Sequence, residues 1–249
     1  MKVSIITVCY NSAKTIEDTI NSVASQTYPN IEYIVIDGAS SDGTLDILEK
    51  RKEQIDVVIS EPDKGIYDAM NKGIKVASGD VVGILNSDDF FSSEKSVEHL
   101  VKSFSEDVDA VFGDLKYVKQ ESSDQLSRIY SSSGFKLWKM RFGFMVPHPT
   151  FYARKELFDK FGYYKLNYRV AADFELMARF FLRGIKYQRI DKILVSMREG
   201  GISSSGLKWR IHQNSEIVRA CRENHLYTNL VLVALKLPFK LLSFFKKEK

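Results

Sequence analysis

The first part of the chain alternates short apolar runs with segments whose apolar residues recur at helical spacing. The apolar runs, rich in β-branched residues, cover residues 3–9, 31–36, 57–60 and 81–85. The helical segments between them cover residues 15–25, 44–51 and 66–77. Runs this short and this apolar are typical of strands buried on both faces. The alternation therefore predicts an α/β fold, a mostly parallel central sheet with helices on both faces.

The second part of the chain has a less regular pattern. Helices are predicted over residues 96–103, 155–161 and 173–182. Strands are predicted over residues 110–113 and 116–119, and a strand pair over residues 186–190 and 193–197. Residues 120–134 are rich in serine, aspartate and glutamine, and they are expected to form a mobile loop or lid. Neither a repeat nor a long linker interrupts the pattern, which favours one compact domain with a helical tail.

Length and cysteine content set broad limits. A chain of 249 residues that is 44% hydrophobic can bury a full core. Cys9 and Cys221 lie far apart and match no metal-ligand or CxxC spacing, which fits a reducing compartment. The N-terminus enters a strand-like run without the pattern of a signal peptide, so a cytoplasmic protein is expected.

The positive charge is concentrated at the end of the chain. Residues 226–249 contain five lysines and one glutamate, which accounts for the whole net charge of +4. The rest of the chain is neutral, whereas a nucleic-acid-binding protein is expected to carry a basic face on its folded body. The sequence therefore predicts no nucleic-acid partner.

The same tail is apolar and aromatic between its lysines. Lys236, Pro238 and Lys240 interrupt it, which disfavours a membrane-spanning helix. An interfacial helix, with lysines on an anionic membrane surface, fits the pattern. Packing of the tail against the catalytic domain or a partner subunit is the alternative.

Two adjacent acidic residues follow the fourth predicted strand. Residues 85–89 read Leu-Asn-Ser-Asp-Asp, at the edge where open α/β folds bind ligands. Neighbouring carboxylates repel each other unless a cation neutralises them, and hard oxygen ligands suit Mg²⁺ or Mn²⁺ carrying a phosphate group. The pattern predicts a metal–diphosphate site, with an acidic surface turn as the alternative.

Polar loops also follow the first two strands, at Tyr10, Asn11 and residues 37–43. The ends of neighbouring parallel strands meet, so the three loops are expected to converge. Asp37 stands where Rossmann folds hold a sugar or base group. Neither GxGxxG nor a P-loop follows the first strand, which disfavours a dinucleotide oxidoreductase. A nucleotide could still bind here if a metal held its diphosphate.

The ordered set of motifs resembles family 2 glycosyltransferases of the GT-A fold, in the branch that builds bacterial surface polysaccharides. The matching segments are residues 4–11, 37–44, 61–65, 71–73, 85–89, 172–176 and 200–203. The resemblance covers roughly residues 1–205. It implies a GT-A domain over residues 1–205, with a nucleotide-sugar half (1–90) and an acceptor half (91–205), before a membrane-associating tail (206–249).

The resemblance implies a set of donor-binding residues. Val8 and Tyr10 would wall the nucleotide base, Asp37 would accept a hydrogen bond from the uracil N–H, and Asp63 would make a polar nucleotide contact. Lys64 would either reach the nucleotide or remain a solvated turn lysine.

Three further donor-side positions carry departures from the family pattern. Asn71 belongs to a family motif in which an arginine often precedes the asparagine, and Met70 stands there instead. Asn86 replaces the first aspartate of the Asp-x-Asp motif, with Ser87 beside it at the donor sugar. Asp88 would then be the main ligand to Mn²⁺ or Mg²⁺.

The resemblance also implies the catalytic residue. Asp173 would be the general base that takes the proton from the acceptor hydroxyl, with a helix cap as the alternative role. Glu175 would support the fold or the acceptor contact. His148, between two prolines, would reach the metal or the diphosphate, or be structural. Residues 198–206 would either close over the donor or form a plain connection.

These features predict a metal-dependent, inverting glycosyltransferase of the hexosyltransferase type. Its donor would be a nucleotide-diphosphate sugar, UDP-linked by preference. Its acceptor would be a lipid-linked glycan at the inner face of a bacterial membrane, with the enzyme peripheral to that membrane. The competing hypothesis is a catalytically silent protein that binds sugar nucleotides or acts as a scaffold.

Overall fold

The computed structural model describes residues 1–119, 122–200 and 206–236, and within them one mixed sheet is flanked by helices. The strands are β1 (Val3–Cys9), β2 (Ile31–Asp37), β3 (Val57–Ser60), β4 (Val81–Ile84), β5 (Asp89–Phe91), β6 (Ala110–Lys119), β7 (Ser122–Tyr130), β8 (Tyr152–Arg154) and β9 (Tyr187–Arg198). The helices are α1 (Ile16–Ala24), α2 (Thr44–Lys50), α3 (Ile66–Val76), α4 (Ser96–Lys102), α5 (Lys155–Phe161), α6 (Ala172–Leu182), α7 (Gly206–Glu223) and α8 (Leu230–Ala234). Short 3₁₀ turns cover Lys52–Gln54, Leu137–Phe142 and His148–Thr150.

The first four strands form the parallel half of the sheet, in the order β3-β2-β1-β4. Their bounds agree with the sequence prediction to within one residue, and the predicted α/β class is confirmed. In the pairing of β1 with β2, Cys9 lies opposite Asp37. The two strands therefore end level, and the loops that follow them start side by side.

The second half of the sheet adds antiparallel pairings. β8 runs antiparallel to both β4 and β6, β9 runs parallel to β6, and β5 pairs antiparallel with β9. β5, which the sequence did not predict, continues the chain directly from the acidic motif. This pairing places the end of β9 beside that motif.

Three sequence predictions in this half were wrong. The strands expected at 110–113 and 116–119 form the single strand β6, and the strand pair expected at 186–190 and 193–197 is the single strand β9. The two segments are continuous because they pair in parallel with each other over most of their length. Residues 122–130, expected in a mobile loop, form β7 against β6. β7 pairs only with β6 in the described residues, so it forms an edge, where Gln125 and Ser127 are exposed to solvent.

Both faces of the sheet are buried, which explains its uninterrupted apolar strands. Along β1, Ile5 and Cys9 face a core with α1, α2 and α4, whereas Ile6 and Val8 face a core with α3, α5, α6 and α7. Each fully buried isoleucine contributes roughly 1.5–3 kcal/mol to folding. The helices on the two faces thereby fix the strand ends on which the loops are carried.

The C-terminal helices pack onto the second of these cores. Ile217, Ala220 and Cys221 of α7 and Val233 of α8 are buried in the core that also contains α6. Among the described residues, no helix combines the length and hydrophobicity needed to cross a membrane. Residues 237–249, which carry most of the basic part of the predicted tail, lie outside the described residues, as do residues 201–205 of the predicted closing loop.

Candidate active site

Three loops meet where β1, β2 and β4 end, as the sequence predicted. The hydroxyls of Ser12 and Ser87 lie 2.8 Å apart, which joins the first loop to the acidic motif. The Asn11 N–H donates to Ser40 Oγ at 2.8 Å, and the Asn11 side chain accepts from the Ser41 N–H at 2.9 Å. Main-chain and side-chain bonds thus hold the loops to one another, and Ser87 takes part in holding them.

Asp37 organises the loop that follows β2. Its carboxylate is fully buried and accepts hydrogen bonds from the Ser40 N–H at 3.0 Å, the Ser40 hydroxyl at 2.5 Å and the Ser60 hydroxyl at 2.7 Å. The Cys9 thiol lies 3.5 Å away. Burial, followed by the charge of Asp37, raises the pKa of that thiol far above its ordinary value. The carboxylate fixes this edge of the site, and its contact with a uracil ring stays a prediction.

An open wall next to Asp37 is suited to a flat ring. Tyr10 is 66% exposed, and its ring lies close to Gly38. The Asp63 carboxylate packs closely against Gly38. A Cβ atom on residue 38 would lie 2.5 Å from Asp63 Oδ2. Val8 is buried in the core below. Of the two predicted base walls, only Tyr10 therefore presents a large surface to solvent.

The acidic motif places one aspartate in the site and buries the other. Asp88 is partly exposed, and burial raises the pKa of its carboxyl group. Asp89 is fully buried, and burial together with the charge of Asp88 raises its pKa further. Asn86 Nδ2 donates to Asp89 Oδ2 at 3.2 Å. Buried Asn86 Oδ1 and Asp89 Oδ1 have no hydrogen-bond partner among the described residues.

Arg198, at the end of β9, holds the acidic motif from the other side. Its Nη1 donates to the Asp88 carbonyl oxygen at 3.0 Å, and its Nη2 pairs with Asp18. The guanidinium carbon lies 5.0 Å from the centre of the Phe90 ring. This role of Arg198 was not predicted, because nothing in the spacing of residues 88 and 198 signals that they meet.

The donor set suits a cation that arrives with its substrate. The described residues include no group of three or more His, Cys, Asp or Glu side chains able to hold a metal ion. Mg²⁺ in particular is usually held by one or two carboxylates, the rest of its ligands coming from phosphates and water. Asp88, with the unpartnered amide oxygen of Asn86 near it in the chain, fits that pattern and does not fit an all-protein cage.

His148 lies beside an aromatic cluster. Its Nε2 is 2.7 Å from the Tyr164 hydroxyl, and burial lowers its pKa to about 4, so the ring is neutral at pH 7. Tyr164 also stacks on Tyr67, with ring centres 5.7 Å apart. Asn71 exchanges two hydrogen bonds with the main chain of Tyr164, at 2.8 and 2.9 Å. The Asn71 amide, predicted to contact the donor, is thus used here to fix Tyr164.

Asp173 lies in the first turn of α6, half-buried. Burial raises its pKa from 3.8 to about 6, while hydrogen bonds from the helix amides and Tyr67 oppose that rise and the charge of Glu216 adds to it. Its Oδ1 accepts from the Phe174 N–H at 2.8 Å. A carboxyl group whose pKa lies close to neutral pH can both accept and release a proton.

Two tyrosines on the paired strands β6 and β7 are affected by the charges of acidic groups. Burial is the largest cause of the raised pKa of Tyr117 and Tyr130, and Asp89 adds to that of Tyr117 and Asp173 to that of Tyr130. In the sheet, Met197 of β9 pairs with Tyr117 on one side and with Asp89 on the other.

Glu175 supports the fold, which is one of the two roles expected from the sequence. Its carboxylate is fully buried and pairs with Arg179 at 2.8 Å and Lys165 at 2.8 Å. Burial alone would raise its pKa, but the hydrogen bonds from these two cations outweigh burial and lower it. The pair holds α6 to the segment that precedes it.

A hollow of about 320 Å³ opens next to Tyr67. It is lined by Lys64, Gly65, Ile66, Tyr67, Leu166, Asn167, Tyr168 and Arg169. Because Tyr67 also donates to the Val170 carbonyl oxygen at 2.8 Å, the hollow adjoins the loop before Asp173. A larger hollow, near Asp109 and Gly184, lies at the opposite edge of the sheet, away from these groups.

The mixed sheet, the three polar loops at the ends of β1, β2 and β4, and the partly exposed Asp88 after β4 make an α/β scaffold with a polar site at one edge of its sheet. Residues 4–163 match the sequence profile of glycosyl transferase family 2. The chain therefore belongs to that family and is a glycosyltransferase.

Curated relatives and solved structures agree. The chain is 36% identical over 179 residues to the uncharacterized glycosyltransferase Rv1514c of Mycobacterium tuberculosis, covering 71% of this chain and 68% of that one. It is 44% identical over 101 residues to the putative teichuronic acid biosynthesis glycosyltransferase TuaG of Bacillus subtilis, 39% of this chain and 40% of that one.

The fold is similar to that of TarS residues 1–349 of S. aureus in complex with UDP-GlcNAc, with a TM-score of 0.72, 22% identity, and coverage of 95% of this chain and 72% of that one. It is also similar to the mannosyltransferase PcManGT of Pyrobaculum calidifontis in complex with GDP-Man and Mn²⁺, with a TM-score of 0.68, 19% identity, and coverage of 98% and 73%. These likenesses confirm the predicted GT-A fold.

Proposed function

We propose that this glycosyltransferase moves a sugar, with inversion, from a UDP-linked donor to a glycan acceptor in a reaction that requires a divalent metal. The observation that carries the proposal is a pair of partly exposed carboxyl groups of raised pKa, Asp88 after β4 and Asp173 in the first turn of α6. We take them to lie on opposite sides of one site. Inverting transfer needs one base on the face opposite the departing nucleotide.

Asp173 supplies the proton acceptor in this proposal. The acceptor hydroxyl gives its proton to the Asp173 carboxylate while its oxygen forms the bond to the anomeric carbon, and the bond to the nucleotide diphosphate breaks. The Tyr67 hydroxyl holds the loop before Asp173 through the Val170 carbonyl oxygen, and the Phe174 N–H orients the carboxylate. The acceptor reaches Asp173 through the hollow lined by Tyr67.

Asp88 holds the metal in this proposal, with Asn86 beside it. When bound, Mn²⁺ or Mg²⁺ neutralises the charge that grows on the diphosphate. The chain's own part is to keep Asp88 in place, which Arg198 and the Ser12–Ser87 bond do. The metal complex of PcManGT supports this choice.

Donor recognition is assigned to the wall beside Asp37. The exposed Tyr10 ring takes the base, Asp63 and Lys64 contact the nucleotide, and Asp37 holds the loop under it. The UDP-GlcNAc complex of TarS supports a UDP-sugar, whereas the GDP-Man complex of PcManGT makes a guanine nucleotide the second candidate.

The acceptor is assigned to a lipid-linked glycan of a bacterial surface polysaccharide. The name of TuaG supports the polysaccharide, and the basic, apolar end of the chain supports attachment to the inner face of an anionic membrane. Truncation before residue 226 should release the protein from anionic vesicles, and undiminished binding would place the attachment elsewhere.

The deciding experiment is a panel of sugar nucleotides tested for slow hydrolysis with Mn²⁺, with Mg²⁺ and with EDTA. We expect one UDP-sugar to be turned over, and only when a metal is present. Binding of UDP and Mn²⁺ without any turnover, with or without acceptor glycans, would support the catalytically silent alternative. Metal-independent turnover would remove the role assigned to Asp88.

A further inference from the structure

The carboxylate of Glu216 is aimed at the loop that presents Asp173. Glu216 lies on α7, outside the segment that matches the family profile, and is 5% exposed. It accepts hydrogen bonds from three successive amides, those of Arg169 at 2.7 Å, Val170 at 2.8 Å and Ala171 at 2.9 Å. Asp173 follows two residues later.

Three amides on one carboxylate fix the orientation of three consecutive peptide planes. Hydrogen bonds to a charged group contribute roughly 1.5–3 kcal/mol each, so a loop held by three of them resists rotation. On the other side, the Tyr67 hydroxyl donates to the Val170 carbonyl oxygen at 2.8 Å. The loop is thus clamped between α3 and α7, and a change in either clamp would move the start of α6.

Glu216 also acts on Asp173 through its charge. It adds to the burial that raises the pKa of the Asp173 carboxyl group. The charged groups near Glu216 on its own helix are His212, with Nε2 at 3.3 Å, and Arg219, with Nη2 at 3.8 Å. From the clamped loop, the guanidinium of Arg169 lies over the Trp209 ring at 5.6 Å.

We propose that Glu216 is a positioning residue for sugar transfer, holding the main chain that carries Asp173. The proposal rests on the assignment of Asp173 as the base. It makes α7 part of the catalytic unit, although the family motifs end before it. The negative charge of Glu216 has a second effect, because it adds to burial in favouring the protonated form of Asp173 and so raises the pH at which the base becomes available.

The test compares Glu216→Gln, Glu216→Ala and the control Glu223→Gln in the full chain. Glu223 lies on the same helix, and its carboxylate pairs with Lys165 at 2.8 Å, away from the amides of residues 169–171. The readouts are hydrolysis of the UDP-sugar found in the panel from pH 5 to 8, and hydrogen exchange of the peptide that covers residues 165–173.

Each variant has a distinct expected result. Glu216→Ala should lower kcat roughly 10- to 100-fold, because small displacements of a catalytic group have effects of this size, and should leave the KM for the donor unchanged. Glu216→Gln keeps an oxygen acceptor but loses the charge, so kcat should fall less and the acidic limb of the pH profile should move to lower pH. Exchange in residues 165–173 should be faster in both variants, and Glu223→Gln should match the wild type.

Unchanged kcat and pH profile in Glu216→Gln, with exchange as slow as in the wild type, would overturn the proposal, even if Glu216→Ala failed to fold. A lower melting temperature in Glu216→Ala with wild-type kinetics would reduce Glu216 to a structural cap. The base assignment fails separately, if Asp173→Asn keeps its turnover. In that case, faster exchange in the Glu216 variants would still show that Glu216 holds the loop, but the loop would not carry the catalytic base.

Discussion

The two sides of the site are built in different ways. On the proposed donor side, the loops at the ends of adjacent parallel strands bond to one another directly, Asn11 to Ser40 and Ser12 to Ser87, and Asp37 binds Ser40. On the acceptor side, the loop before Asp173 is held by Tyr67, across 103 positions of the chain, and by Glu216. The donor side is therefore a property of strand order, whereas the acceptor side depends on how three helices pack together.

The difference implies that the two sides fail in different ways. A substitution on the donor side should change binding of the nucleotide, because each loop there contributes its own contacts. A substitution on the acceptor side should change the rate, because the helices there orient one carboxyl group. The following predictions test this separation in order of the size of the effect.

Asp173→Asn should cause the largest loss. Removing a general base lowers the rate about 10²- to 10⁴-fold, and the amide cannot accept the proton. UDP binding, measured by calorimetry with Mn²⁺, should stay within about twofold of the wild type, because the donor loops are not touched. Asp159→Asn, at an exposed carboxylate on α5, is the control. Turnover at the wild-type rate would refute the base assignment.

Asp88→Asn should impair metal-dependent nucleotide binding, which Asp173→Asn is expected to leave intact. The loss of the anionic ligand should abolish the effect of Mn²⁺ on UDP affinity and lower donor turnover by roughly 10²-fold, since a metal at a departing diphosphate contributes several kcal/mol. The melting temperature should change little, because the main-chain bond from Arg198 to residue 88 remains. The exposed Asp107→Asn, at the other edge of the sheet, is the control. Retained Mn²⁺ dependence would mean that the metal binds elsewhere.

The sequence could predict that the loops of the proposed donor side meet, because the information for this is local. The apolar runs that end at Cys9, Asp37 and Ile84 give the strands, and parallel strand order brings their loops together without further knowledge. Strand order does not predict that the Asp37 carboxylate is hydrogen-bonded by the Ser40 and Ser60 hydroxyls, because the burial of such a side chain depends on the loop conformation.

The acceptor side was only partly predictable. Asp173 was proposed as the base from its motif, which stays a prediction. Glu216 stands in an ordinary amphipathic helix, and nothing in its neighbours distinguishes it from a surface glutamate. Residues 186–190 and 193–197 were predicted as two strands, although β9 continues through Asp191 and Lys192 with an irregularity in its pairing with β6. Long-range packing determines both the role of Glu216 and the continuity of β9, and the local sequence pattern carries no information about that packing.

The pH dependence follows from the raised pKa of Asp173. The base is available only when ionised, so kcat/KM should rise with pH up to about 6 and then level off. Stability should change in the opposite sense. Between pH 4 and 6 the folded protein keeps a proton that the unfolded chain has lost, so stability falls as pH rises, by at most about 3 kcal/mol. The unfolding free energies of the wild type and Asp173→Asn, measured from pH 4 to 8, should therefore diverge in favour of the variant.

Arg198→Lys tests the support of the donor side. Lysine keeps the charge but cannot bond to the Asp88 carbonyl and Asp18 while lying over the Phe90 ring. The KM for the metal–donor complex should rise roughly 5- to 30-fold, which corresponds to about 1–2 kcal/mol, with a smaller change in kcat. Arg51→Lys, at a surface pair with Glu17, should have no effect. A change in kcat alone would place Arg198 on the acceptor side instead.

Gly83→Ala tests the junction between the two halves, where β4 meets β8. A Cβ atom at residue 83 would lie 2.1 Å from the Tyr152 ring, so the ring or the strand must shift, at a cost of about 1–3 kcal/mol. Gly134→Ala, where the nearest atom would be Lys139 Nζ at 3.7 Å, should be nearly neutral. Urea unfolding of Gly83→Ala alone and combined with Tyr152→Leu gives the coupling between the two residues, and the second change should recover part of the loss. Because neither clamp on Asp173 touches this junction, the pH profile of Gly83→Ala should match that of the wild type. A shifted profile would show that the halves are coupled through the sheet as well as through the helices.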